Sequence, residues 1–136
     1  MPTTKLTIPV FWQAGSIEDV QHGRETIARK LCGCFNELCG IGSDGRDGYT
    51  RLAWTREDAR LRLWFATMAL DRGMTVTVDA AGNQWAWRGV PTPDNPGVAA
   101  GSHLDSVVHG GAFDGPLGVI SAFLAVDELA ARHGAD

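Results

Sequence analysis

His103, Asp105 and Asp114 are the residues whose types and spacing could do chemistry. They stand in the run VAAGSHLDSVVHGGAFDGPLGV, residues 98–119, among glycines and after a short apolar stretch. His103 and Asp105 are two apart, so on extended backbone both side chains leave from the same face. Asp114 follows Asp105 by nine residues, beyond the Gly110-Gly111 pair that allows the chain to double back. A neutral imidazole and a carboxylate around an open coordination position are what hydrolytic metal centres use to acidify water. A further carboxylate that hydrogen-bonds the imidazole fixes its tautomer and raises its basicity, and Asp105 is spaced for that part. The competing reading is a hydrogen-bonded loop with a satisfied histidine, because H-x-D by itself is a common pattern. His109, in the same loop, reads first as an exposed histidine and second as a ligand, while His22 and His133 have no acid at ligand spacing.

These side chains need elements to present them. Val98 to Gly101 reads as a short buried strand that delivers His103 at its C-terminal end. After Asp114, Pro116 sits where a first helical turn tolerates proline, and Ile120, Phe123, Leu124 and Ala125 continue an apolar helix expected to lie against the sheet. Asp127 and Glu128 read as the solvated end of that helix. Upstream, Ser16 with Asp19 resembles a capping box, and Ile27, Leu31, Phe35 and Leu38 recur at three to four residues, which predicts a helix to about Leu38. GIGSDGRDG, residues 40–48, is a surface loop, and as a phosphate cradle it lacks the following Lys-Ser/Thr and a preceding buried strand. Thr55 and Asp58 cap a second helix whose Leu61, Trp64, Phe65 and Met68 form one apolar stripe opposite Arg60, Arg62 and Asp71. Met74, Val76 and Val78 alternate with polar residues, a turn follows at 80–83, and Gln84 to Gly89 returns, which predicts a hairpin. Trp85 and Trp87 share one face of it and are read as packing on the helix above in preference to a ligand platform. Pro91, Pro93 and Pro96 make the next stretch a surface connection.

The composition narrows the function classes. With 136 residues, 44% of them hydrophobic, the chain can build one soluble core. Its formal charge of −4 and scattered basic residues argue against tracking a phosphate backbone, so no nucleic-acid partner is expected. The most apolar run, Leu117 to Val126, is about half the ~20 residues needed to cross a bilayer. The N-terminus carries no basic segment followed by an apolar one, which predicts a cytoplasmic protein without a membrane partner. Cys32, Cys34 and Cys39 are odd in number and lack the spacing of a zinc site, so they read as helix packing, with Cys32 and Cys39 on the face of Phe35.

GSHLDSV and GGAFDGPLGV resemble the metal-binding signature of the allantoate amidohydrolase, N-carbamoyl-L-amino-acid hydrolase and β-ureidopropionase group of the zinc-dependent aminopeptidase-like superfamily. GYTRLAWTREDARLR and GMTVTVDAAGNQWAWRG are similar to that group's lead-in, and together the likeness spans about residues 26–129. The resemblance implies an α/β fold, a partial catalytic domain with a mixed sheet flanked by helices over residues 26–136, preceded by an arm, residues 1–25, that need not follow the family. It implies that His103 ligates one metal, that Asp114 bridges two, and that Asp105 is the catalytic acid orienting the histidine. It further implies two divalent ions, zinc, manganese, cobalt or nickel, and a small carbamoyl or ureido substrate. A glutamate general base, a cis peptide after Asp114 that Gly115 would ease, and a homodimer paired through a second domain complete the expectation.

The glutamate pair of such enzymes lies some tens of residues beyond the bridging aspartate, and this sequence carries 22 residues past Asp114. The sequence is therefore expected to be an N-terminal piece, inactive alone. The alternative is a non-catalytic interaction module, or a subunit of a split hydrolase completed by a second chain.

Overall fold

The computed structural model describes residues 17–94 and 96–133. Residues 1–16, which include the Ser16 cap and most of the expected N-terminal arm, lie outside the described residues. The remainder of that arm, 17–25, belongs to the first helix. In chain order the elements are α1 (Ile17–Leu38), α2 (Arg56–Leu70), β1 (Thr75–Val78), β2 (Gln84–Trp87) and α3 (Pro116–His133). No helix among the described residues is long and apolar enough to cross a membrane.

Helix α2 forms as its pattern dictates. Thr55 accepts the N–H of Asp58 at the N-cap, and Asp58 reaches back to accept the N–H of Trp54 at 3.0 Å. Leu61 and Met68 are buried, with Trp64 and Phe65 packed beside them. The chain leaves the helix by way of Gly73, whose φ of 68° a side chain would resist. It then enters an antiparallel hairpin in which Thr75 pairs with Trp87 and Val78 with Gln84. At its turn Asp79 gathers the N–H groups of Ala81 and Asn83 and the side chains of Asn83 and Trp85.

The tryptophans do not face α2. The face turned to the core carries Val76 and Ala86, whereas Trp85 and Trp87 stack on each other on the opposite face, 5.7 Å between ring centroids. Their indole N–H groups donate to Asp79 and Thr77, so each ring's polar edge is satisfied without the helix.

The core joins three helices. Cys34, Leu38 and Ile41 from α1 and its exit meet Leu61, Met68, Ala69 and Met74, and both sets meet Val119, Ile120, Phe123 and Leu124 of α3. Cys34 is the core cysteine, and Cys32 and Cys39 are exposed, because 31, 34 and 38 are the positions of α1 that face inward. Burial together with the nearby Glu37 carboxylate pushes the Cys34 thiol up. Helix α3 packs on α1, and its Phe123 touches the rings of Trp64 and Phe65, so helices cover it where a sheet was expected. Asp127 is no solvated terminus either: Arg72 grips it with two bonds of 2.9 Å and ties α2 to α3.

Val98 to Gly101 is not a strand. Val98 is 99% exposed, and no strand of the described residues runs beside it to supply ladder hydrogen bonds. The class remains α/β, with the two-stranded antiparallel hairpin as the sheet among the described residues.

Candidate metal centre

The segment carrying His103 and Asp114 is held from two sides. On one side it lies along residues 49–51: Tyr49 and Gly110 exchange both backbone hydrogen bonds, at 3.0 and 2.8 Å. Ser106 donates its N–H to the Arg51 carbonyl and accepts the Arg51 N–H on its hydroxyl. Arg51 is buried, and its guanidinium donates to the carbonyls of Ile41 and Leu38 at 2.8 and 2.9 Å, satisfying the C-terminal end of α1. Burial pushes the Arg51 pKa down from its usual value, and stacking over the Tyr49 ring, 4.1 Å to its centroid, helps compensate the charge.

On the other side stands the start of α3. Gly115 has φ of 91°, and a Cβ there would sit 2.4 Å from the His103 carbonyl oxygen and 2.8 Å from the imidazole. A Cβ at Gly118 would come within 2.7 Å of the Ser102 side chain. Both glycines let the first turn of the helix close directly on residues 102–103. The peptide bond after Asp114 is trans, against the expectation of a cis bond, and the freedom of Gly115 is used instead for its positive φ and this close approach.

That closure brings two of the three candidate side chains face to face. His103 Nε2 lies 3.7 Å from Asp114 Oδ1. The other ring nitrogen, Nδ1, is 3.0 Å from the Asp105 carbonyl oxygen and 3.4 Å from Asp105 Oδ1. A carbonyl can only accept, so a hydrogen bond there requires the proton on Nδ1 and, in the neutral ring, leaves the Nε2 lone pair aimed toward Asp114. Asp105 thus meets the imidazole first through its backbone, with its carboxylate at ion-pair distance. The His103 and Asp105 side chains are about half exposed to solvent and that of Asp114 is mostly exposed.

The pair fits a divalent cation. Metal–nitrogen and metal–oxygen bonds of about 2.0–2.2 Å sum to more than the separation of these two atoms, and imidazole with carboxylate is a common donor set for zinc and manganese. Among the described residues no group of three or more histidine, cysteine or acidic side chains could hold an ion. His109 does not join the pair. Its Nδ1 contacts the Asp44 carboxylate, on the far side of the bend.

Asp44, Arg51 and Ser106 escape a reading of the sequence because their partners lie 65 and 55 residues away, and no periodicity reports such contacts. Arg51 stands in GYTRLAWTREDARLR, the stretch similar to the family's lead-in, which by itself assigns it no contact.

No family model matches the chain. The chain is 41% identical over 98 residues to an N-carbamoyl-L-amino acid amidohydrolase of Geobacillus stearothermophilus, covering 72% of this chain and 24% of that protein. It is 36% identical over 99 residues to an allantoate amidohydrolase of Bacillus subtilis, with the same coverage of each. Its fold matches the crystal structure of a hydantoinase/carbamoylase family amidase from Burkholderia ambifaria with a TM-score of 0.69 and 41% identity, over 78% of this chain and 26% of that one. The chain spans about a quarter of the length of the relatives it matches.

Proposed function

From the premise that this chain belongs to the family of the N-carbamoyl-L-amino acid and allantoate amidohydrolases, we propose that residues 103–114 supply one arm of a divalent-metal hydrolase centre. The bond cleaved is the C–N bond of a carbamoyl or ureido group on a small molecule. His103 Nε2 and the Asp114 carboxylate would hold divalent metal there, and Asp105 keeps the imidazole in the tautomer that ligation needs. When bound, the ions supply the Lewis acidity that a urea-type carbonyl requires for hydrolysis near neutral pH. The observation that carries this reading is the 3.7 Å between His103 Nε2 and Asp114 Oδ1, with Nδ1 occupied by Asp105.

These 136 residues by themselves do not turn over substrate. Two donors fall short of the three or four that hold a catalytic ion firmly. Asp127 and Glu128, the adjacent acids on α3, are about 16 Å along the helix from its start, by the rise per residue. Asp127 is engaged by Arg72 and Glu128 lies near Lys30, so neither stands as a general base beside the pair.

The apolar residues left exposed around the site favour its completion by further polypeptide. Val98, Val107, Val108 and Phe113 are all largely open to solvent. The three cysteines are free, which suits a reducing, cytoplasmic setting.

Cobalt(II) titration followed by visible absorption tests the centre. The chain develops a d–d band that is absent in His103→Ala and Asp114→Ala. Equal bands in all three proteins would remove the reading. Assays with N-carbamoyl amino acids and allantoate, with divalent metal added, give no turnover from the chain alone.

A further inference from the structure

The bend between His103 and Asp114 contains Gly110 and Gly111, the residues with most conformational freedom to lose, so something must hold it in one arrangement. Two of its holds are backbone and hydroxyl contacts, the Tyr49–Gly110 bridge and the Ser106–Arg51 exchange. The third is a side-chain contact, His109 Nδ1 against the Asp44 carboxylate.

Asp44 is prepared for this contact. Its Oδ1 accepts the N–H groups of Arg46 and Gly48 at 2.7 and 3.1 Å, and the Arg46 bond, then the His109 imidazole and the Gly48 bond, hold its carboxyl below the usual carboxylate range. Its side chain is 16% exposed against 67% for His109. Gly48 has no room for a side chain, since a Cβ would lie 2.6 Å from Asp44 Oδ2 and 3.3 Å from the His109 Cα. His109 itself has φ of 56°, in the left-handed region that a non-glycine residue occupies at some strain. The carboxylate contact and the 3.3 Å bond from its N–H to Thr50 Oγ1 keep it there.

We propose that Asp44 is a positioning residue for the metal pair: through His109 it fixes the bend of residues 106–111 and so keeps His103 and Asp114 within reach of one ion. The proposal rests on the metal-centre reading above. The imidazole half of the contact is 67% exposed, and removing it leaves the backbone bonds to Asp44 in place, so the effect is local and the fold stays intact. Affinity then falls by the fraction of molecules in which the bend stays competent, and a competent population of about one fifth weakens binding roughly fivefold.

The test uses the full chain as Asp44→Ala and His109→Asn, with His103→Ala as the reference for the site. Asparagine tolerates positive φ, so His109→Asn removes the contact without adding backbone strain, and it preserves the Asp44 turn. Cobalt(II) binds both clamp variants roughly fivefold more weakly than the parent chain, as expected from the population argument. In the metal-free proteins the amides of Tyr49 and Gly110 exchange with deuterium faster, while those of α2 and α3 keep their rates. Cobalt binding that is lost in His103→Ala yet unchanged in both clamp variants overturns the proposal alone. Cobalt binding that survives His103→Ala removes the metal-centre reading and the proposal with it.

Discussion

Gly115 and His103 are packed so closely that a single methyl group would not fit between them: a Cβ on the glycine would be 2.4 Å from the histidine carbonyl oxygen. Since φ at Gly115 is also 91°, Gly115→Ala suffers both a clash and backbone strain. The variant is expected to lose about 1–3 kcal/mol of stability, by the usual cost of such strained positions, and more than tenfold in cobalt affinity as α3 is pushed off residues 102–103. Gly111→Ala, where a Cβ would meet open space, is the matched control and should bind cobalt within about twofold of the parent, as a site outside the named mechanisms of destabilisation. Urea midpoints and cobalt titrations measure the two effects separately.

Arg51 joins the end of α1 to the loop that carries the site. Its guanidinium satisfies the Leu38 and Ile41 carbonyls, and its backbone exchanges hydrogen bonds with Ser106. Arg51→Ala leaves the Ile41 carbonyl without its donor, while the Leu38 carbonyl keeps the Ile41 N–H, and is expected to cost roughly 1–3 kcal/mol. Arg51→Lys recovers little, because an ammonium cannot reproduce the planar fork that spans both carbonyls. Urea denaturation followed by tryptophan fluorescence reads the order parent, Lys, Ala.

Acid reaches the hairpin through Asp79. The Trp85 indole N–H, followed by the Asn83 side chain and the backbone N–H groups of the turn, lowers the Asp79 pKa from an ordinary 3.8 to about 2. The folded value lies below the unfolded one, so the carboxylate's contribution is fully present above about pH 4 and is lost as pH falls through about 2. Thermal melts from pH 5 to pH 2 should therefore show a falling midpoint that flattens in Asp79→Asn. Trp85 fluorescence should change in the same window. A hairpin equally stable at pH 5 and pH 2 would contradict this assignment.

What could be read from the chain was what local rules encode. The α2 cap and stripe, the Asp79–Asn83 turn and the proline opening α3 each depend on residues a few positions apart, and each stands where the pattern places it. The nearness of His103 and Asp114 belongs here too, since Gly115, at positive φ, lets the start of α3 close on His103. The misjudged features needed knowledge of neighbours. Period two puts Trp85 and Trp87 on one face but does not say which face turns inward, and Val76 with Ala86 takes that place. An apolar run such as residues 98–101 becomes a strand only beside another strand. Among the cysteines of α1 and its exit, a small change of phase decides between Cys34 and the pair Cys32 and Cys39. Contacts such as Asp44 with His109 or Arg72 with Asp127 bridge distant parts of the sequence and leave no periodic trace.

The most direct test of the central claim is manganese(II) titration of the 15N-labelled chain, followed by paramagnetic broadening of its NMR signals. The account predicts that at substoichiometric manganese the signals of residues 102–105 and 113–116 vanish first, that those of β1 and β2 persist, and that Asp114→Ala abolishes the selectivity. Broadening spread evenly over the acidic surface, or centred on a site that excludes both His103 and Asp114, would contradict it.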